Sequence, residues 1–140
     1  MGRAGRLAEA EAASAEAALL APAGQVFAIE QDAEDIELVR ENADRFAAEN
    51  VTPVMGRAPE VWADLPDPDA VFIEGSGREI ARLAELAFER LKPNGRLVAS
   101  VASIEGLHEV KATLAAVTSD VNVWMLNVSR GTDQLQRLRL

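Results

Sequence analysis

The chain holds no cysteine. That removes disulfides, thiolate metal sites and cysteine nucleophiles from consideration and suits a reducing cytoplasm. Histidine occurs once, at His108, so no second imidazole shares a metal with it, and its helical setting reads as a surface position. Positive charge is short: 14 Lys and Arg stand against 23 Asp and Glu, a net charge of −9. An acidic chain repels phosphate backbones, and its arginines are scattered, with only Arg137 and Arg139 close together near the C-terminus. Nucleic acid is therefore not an expected partner. Arg3 and Arg6 are followed by Glu9, Glu11 and Glu16 in place of the apolar run of a signal peptide. No stretch approaches the roughly 20 apolar residues of a membrane span. A cytoplasmic location away from the membrane is the expectation.

What is present fits one globular domain of 140 residues, 49% hydrophobic and 26% charged. Three short apolar runs read as strands: Val26 to Ile29 ending at Glu30, Ala70 to Ile73 ending at Glu74-Gly75-Ser76-Gly77, and Arg96 to Val101 after the turn Lys92-Pro93-Asn94-Gly95. Continuous runs of this kind suit parallel strands covered on both faces. A weaker strand is expected at Val51 to Met55, on an edge because of Pro53. Helices are expected over Asp32 to Ala48 (Ile36, Val39, Ala43 and Phe46 at spacings of three and four, Asp32 as N-cap), Arg78 to Leu91 and Ile104 to Ala116. Strand–helix alternation predicts βαβ units. Val121 to Val128 and Gln134 to Leu140 read as two strands of an antiparallel hairpin closing the sheet. Leu7 to Leu20, rich in Ala and Glu, reads as a helical segment within residues 1–20.

Ligands of a doubly wound sheet bind beyond the carboxyl ends of its strands, so the residues there are the candidates for chemistry. Glu30, followed by Gln31 and Asp32, can accept hydrogen bonds from both hydroxyls of a ribose, or can be a solvated acid before a helix. Arg57-Ala58 can turn backbone amides to an adenine edge, or can be an ordinary turn. Glu74 and Gly75-Ser76-Gly77 allow close backbone approach before a helix N-terminus. Ser103 can line a substrate or cap the helix after it, the cap being favoured. Arg130 can meet an anionic substrate, although Gly131 beside it suits a hairpin loop on its own account. Trp62 and Trp124 read as packing residues. No residue is singled out as catalytic and no metal site is expected.

The segments Gly24-Gln25-Val26-Phe27-Ala28-Ile29-Glu30, Leu38 to Ala43, Pro68-Asp69-Ala70-Val71-Phe72-Ile73-Glu74-Gly75-Ser76-Gly77 and Leu91-Lys92-Pro93-Asn94-Gly95-Arg96-Leu97-Val98-Ala99 resemble the CbiT-type precorrin-6Y methyltransferases of cobalamin biosynthesis. The same domain forms the C-terminal half of the fused precorrin-6Y C5,15-methyltransferase. The resemblance covers about Ala17 to Leu140, and its most specific part is Asp69 to Gly77. It implies a doubly wound, Rossmann-like α/β sheet of the class I S-adenosylmethionine methyltransferase type. It also implies methyl transfer to carbon 15 of a precorrin, with decarboxylation of an acetate side chain. By similarity, Glu30 and Gln31 hold the ribose, Arg57 and Ala58 lie by the adenine, and Glu74 and Gly75 face the cofactor. Gly75, Ser76, Gly77, Ser103 and Arg130 then border a tetrapyrrole substrate. A homo-oligomer, a tetramer by resemblance, follows in the same way.

One departure from the family pattern bears on function. The family has a strand ending in Asp-x-Gly-x-Gly-x-Gly just before the helix that here begins near Ser14. This chain reads Gly5-Arg6-Leu7-Ala8-Glu9-Ala10-Glu11-Ala12 there, with no apolar strand before it. The first strand of the sheet is thus read as missing or degraded, the chain as a truncated or frame-disturbed single methyltransferase-like domain, and its affinity for S-adenosylmethionine as weak or nil. Two other readings stand beside this one: a non-catalytic methyltransferase-like assembly domain, and a class I methyltransferase for another small molecule.

Overall fold

In this computed structural model, residues 12–75, 79–126, 132–134 and 137–139 are described. The element order is α1 (Ala12–Leu20), β1 (Val26–Glu30), α2 (Ala33–Arg45), β2 (Val51–Met55), a 3-10 helix (Glu60–Asp64), β3 (Ala70–Gly75), α3 (Ile80–Arg90), β4 (Arg96–Val101), α4 (Ile104–Ala115), β5 (Thr132–Gln134) and β6 (Arg137–Arg139). The chain divides into two compact units, Met1–Phe72 with Leu86–Val98, and Ile73–Glu85 with Ala99–Leu140.

In the first unit β1 and β2 pair in parallel, in the register Val26↔Val51 through Glu30↔Met55, with α2 as the crossover. Asp32 begins α2 as expected: its backbone is extended and its side chain accepts from the Glu34 amide at 3.0 Å. Glu34 and Asp35 in the first turn favour the positive end of the helix dipole. Ile36 and Val39 are buried, as their spacing predicts. The helix ends at Arg45, three residues before the expected Ala48, and the reason is local. Ala47 takes the left-handed conformation (φ 51°), the Ala48 amide donates to Ala43 O at 2.8 Å and the Ala47 amide to Asp44 O at 3.1 Å. These are the two bonds of a Schellman stop. Phe46 consequently sits at the C-cap and is exposed.

Ala15 and Ala18 of α1 are buried with Ala48, and Val26 and Val51 pack against them. One side chain closes this corner. Asn50 Nδ2 donates to Ala18 O (3.1 Å), Ala21 O (3.0 Å) and Gly24 O (3.1 Å). Ala18 O and Ala21 O also accept from the Ala21 and Gly24 amides, so Asn50 adds a second bond to each and ties the helix end to the starts of β1 and β2.

Strands β3 and β4 also pair. The Arg96 amide donates to Asp69 O at 3.0 Å, so both strands begin at the same end. Before β4, the Gly95 amide donates to Lys92 O at 2.8 Å, with Pro93 and Asn94 (φ 66°) between them, the pattern of a type II turn. A Cβ on Gly95 would lie 2.9 Å from Lys92 O and 3.1 Å from Asp69 O, which leaves no room for a side chain. In α3, Ile80, Ala81, Ala84 and Ala87 are buried. Helix α4 starts at Ser103, whose Oγ accepts from the Gly106 amide at 3.0 Å.

Three expectations require correction. Among the described residues the strands form three separate two-stranded sheets, not one continuous sheet. The apolar runs of β3 and β4 are not covered on both faces, since Phe72 and Val98 are each 56% exposed; an apolar run reports strand propensity but not what packs on it. The hairpin expected between residues 121–128 and 134–140 does not form as drawn. Residues 121–126 carry no strand, and Trp124 (86% exposed) and Leu126 (90%) face solvent. β-Propensity makes a strand only where a neighbour takes up the ladder bonds. The antiparallel pairing lies later and is shorter, Thr132–Gln134 with Arg137–Arg139, as a sheet of its own. The expected hairpin residues 127–128, the expected helical residues 7–11 and the degraded loop from Gly5 fall outside the described residues.

Candidate functional site at the ends of β1 and β2

The parallel register places Glu30 opposite Met55, so the two strands end side by side. The Gly56 amide donates to Glu30 O at 2.9 Å and carries the pairing one residue past the strands. Glu30 and Gln31 on one strand end thus adjoin Gly56, Arg57 and Ala58 on the other. Glu30 is half-buried, Gln31 and Arg57 are exposed, and Ala58 is half-buried.

Gly56 is the residue that shapes this loop, and no spacing or motif in the sequence marks it. Its φ is +148°, a conformation strained for any residue with a side chain, and a Cβ there would lie 2.2 Å from Val61 Cγ1. Val61 therefore packs directly on the Gly56 backbone. The Val61 amide donates to Arg57 O (3.1 Å), Trp62 to Pro59 O (3.0 Å) and Leu65 to Trp62 O (3.0 Å). The 3-10 turn folds back against the strand end and presents Arg57-Ala58 beside Glu30. The Ala58–Pro59 peptide is cis.

The other candidates belong to the second unit. Glu74 and Gly75 form the carboxyl end of β3, and Glu74 is exposed. Ser103 follows β4 and is occupied as the cap of α4, the role favoured from sequence. Ser76, Gly77 and Arg130 lie outside the described residues. His108 is exposed, in an open groove of about 460 Å³ lined also by Ala81, Arg82, Glu85, Glu109, Ala112 and Thr113. Among the described residues no group of three His, Cys, Asp or Glu could hold a metal. No helix among them is long and apolar enough to cross a membrane.

A carboxylate at one parallel strand end, beside a packed loop at the next, lies beyond the carboxyl ends of the strands, where α/β sheets bind their ligands. The residue types at the two ends, a carboxylate at Glu30 and a small side chain at Ala58, are compatible with a nucleoside ligand. Among solved structures, the precorrin-6Y C5,15-methyltransferase of Geobacter metallireducens superposes with a TM-score of 0.81 at 34% identity, over 93% of this chain and 69% of that one. The class is thus an α/β methyltransferase. More narrowly, the chain belongs to the precorrin methyltransferase domain family, whose profile matches residues 8–134. It is 38% identical over 120 residues to a probable cobalt-precorrin-6B C(15)-methyltransferase (decarboxylating) of Pyrobaculum calidifontis, covering 84% of this chain and 61% of that protein. It is 40% identical over 104 residues to the cobalt-precorrin-6B C(15)-methyltransferase (decarboxylating) of Salmonella typhimurium, covering 74% of this chain and 53% of that protein.

Proposed function

We propose that this chain carries the nucleoside-holding part of an S-adenosylmethionine-dependent methyltransferase of the doubly wound type. Its substrate is a precorrin, methylated at carbon 15 with loss of carbon dioxide from an acetate side chain, in cobalamin biosynthesis. The observation that supports this most is the match of residues 8–134 to the precorrin methyltransferase domain family, and the 2.9 Å bond from the Gly56 amide to Glu30 O keeps the two strand ends together. In this reading the Glu30 carboxylate accepts from both ribose hydroxyls with Gln31 beside it, and the main chain at Arg57-Ala58 meets the adenine edge. Glu74 and Gly75 border the cofactor. By resemblance alone, Gly75, Ser76, Gly77, Ser103 and Arg130 are assigned to the tetrapyrrole, Ser103 with its Oγ already engaged as the cap of α4. When bound, S-adenosylmethionine supplies a sulfonium methyl already activated for transfer, so the chain's own task is to position two molecules and exclude water.

The test is a residue-resolved NMR titration of the chain with S-adenosylhomocysteine and with adenosine. The expected result is saturable shifts at the amides of Gln31, Gly56, Arg57 and Ala58, with a dissociation constant on the order of 1 mM. Glu30→Gln weakens binding by about tenfold or more, because hydrogen bonds to a charged acceptor contribute roughly 1.5–3 kcal/mol. The absence of shifts at these four amides at saturating adenosine defeats the reading.

A further inference from the structure

Arg90, on the last turn of α3, takes no part in the site as drawn, and no pattern in the sequence singles it out. Its guanidinium nevertheless bonds to the β2–β3 connection at three oxygens. Nε and Nη2 donate to Asp67 Oδ1 at 3.1 and 2.9 Å, Nη2 also donates to Leu65 O at 2.8 Å, and Nη1 donates to Trp62 O. Trp62 and Leu65 flank the 3-10 turn from inside and from its end. That same turn holds Val61 against Gly56 and accepts its own return bond at Arg57 O. The turn's own bonds span three or four residues, whereas Arg90 reaches it from more than 20 residues away. A guanidinium is suited to this task because its five N–H groups form a rigid planar fork, which a lysine ammonium cannot reproduce.

We infer that Arg90 is a positioning residue for adenine recognition: by clamping the Trp62–Asp67 stretch it fixes the 3-10 turn, and through Val61 and Gly56 it sets the angle at which Arg57-Ala58 main chain is offered to the base. This rests on the nucleoside reading given above. Removing the clamp leaves Glu30 and the paired strand ends in place. The ribose is still held, and what is lost is discrimination at the base.

The experiment compares adenosine with inosine, whose ring nitrogen 1 carries a hydrogen where that of adenosine accepts one. NMR titrations of both nucleosides are run on the unaltered chain, on Arg90→Gln and on Arg90→Lys. The unaltered chain prefers adenosine by about tenfold, since a donor facing a donor forfeits the bond. In Arg90→Gln that ratio falls to near one while inosine affinity is kept, and Arg90→Lys does not restore it. A merely structural role would weaken both nucleosides together and leave the ratio where it was. Asp67→Ala, which removes the side-chain acceptor of Nε and Nη2 and keeps both carbonyl ties, lowers the ratio part of the way and serves in place of Arg90→Gln if that variant does not fold. An unchanged ratio in Arg90→Gln or Asp67→Ala overturns the inference and leaves the nucleoside reading standing. Failure of the unaltered chain to bind adenosine, or equal binding of the two nucleosides, overturns the reading and the inference with it.

Discussion

Replacing Asn50 with aspartate exchanges one NH2 group for an oxygen and changes almost nothing in volume. If the residue matters through its shape, the variant is neutral. If it matters through its three acceptors, the variant is the worst substitution available there. The amide nitrogen has two hydrogens, shared among Ala18 O, Ala21 O and Gly24 O at 3.0–3.1 Å. Two hydrogen bonds at roughly 0.5–1.5 kcal/mol net each make Asn50→Ala cost about 1–3 kcal/mol. Asn50→Asp loses the same bonds and adds a carboxylate facing three carbonyl oxygens, so it costs more than alanine. With a urea slope of roughly 1–3 kcal/mol per M, a loss of about 2 kcal/mol moves the unfolding midpoint by on the order of 1 M. Urea titrations of the three proteins, followed by far-ultraviolet circular dichroism, read the order directly: unaltered, then alanine, then aspartate. An aspartate variant as stable as the unaltered chain, or more stable than the alanine variant, would falsify the account of this corner.

Four further outcomes follow from the same geometry. Ala47→Gly stabilises the chain by roughly 0.5–1 kcal/mol, because glycine adopts the left-handed stop of α2 without the Cβ penalty; thermal unfolding checks it, and a lower melting temperature contradicts the Schellman assignment. Gly95→Ala destabilises by more than about 1 kcal/mol, since its Cβ would meet Lys92 O at 2.9 Å, and a neutral result would mean that the turn before β4 moves freely. Ala18→Leu costs roughly 1–3 kcal/mol by overpacking the cluster of Ala15, Ala18 and Ala48, seen as an earlier urea midpoint. Trp124→Ser changes stability by less than about 0.5 kcal/mol, as expected of an exposed residue outside any strand; a loss well above that would return residues 121–126 to a packed strand.

Much of the first unit was legible in the sequence because its signals are local. Asp32 followed by acid in the next turn marks a helix start, Pro53 marks an edge, and Val26 to Ile29 closing on Glu30 marks a strand. All three are consequences of what one residue and its near neighbours can hydrogen-bond. The pairing of Glu30 with Met55 depends on two segments meeting, and it was anticipated only through strand–helix alternation and the resemblance to a family. Residues 121–126 misled for the converse reason: their composition favours a strand, but a strand exists only when another backbone answers it.

The amino-acid sequence by itself determined the positions of the helices to within a few residues, the caps at Asp32 and Ser103, the turn at Lys92 to Gly95, and the acid placed at a strand end. Only the tertiary structure decided that Gly56 must lack a side chain because Val61 occupies its place, that Asn50 gathers three carbonyls from residues 26–32 positions earlier, and that Arg90 ties down a turn more than 20 residues away. Propensity and capping act over one or two turns of chain and leave a trace in sequence spacing. The contact of Val61 with Gly56 depends on how the intervening loop turns, and a guanidinium that finds three oxygens depends on the path of the whole chain; neither leaves such a trace.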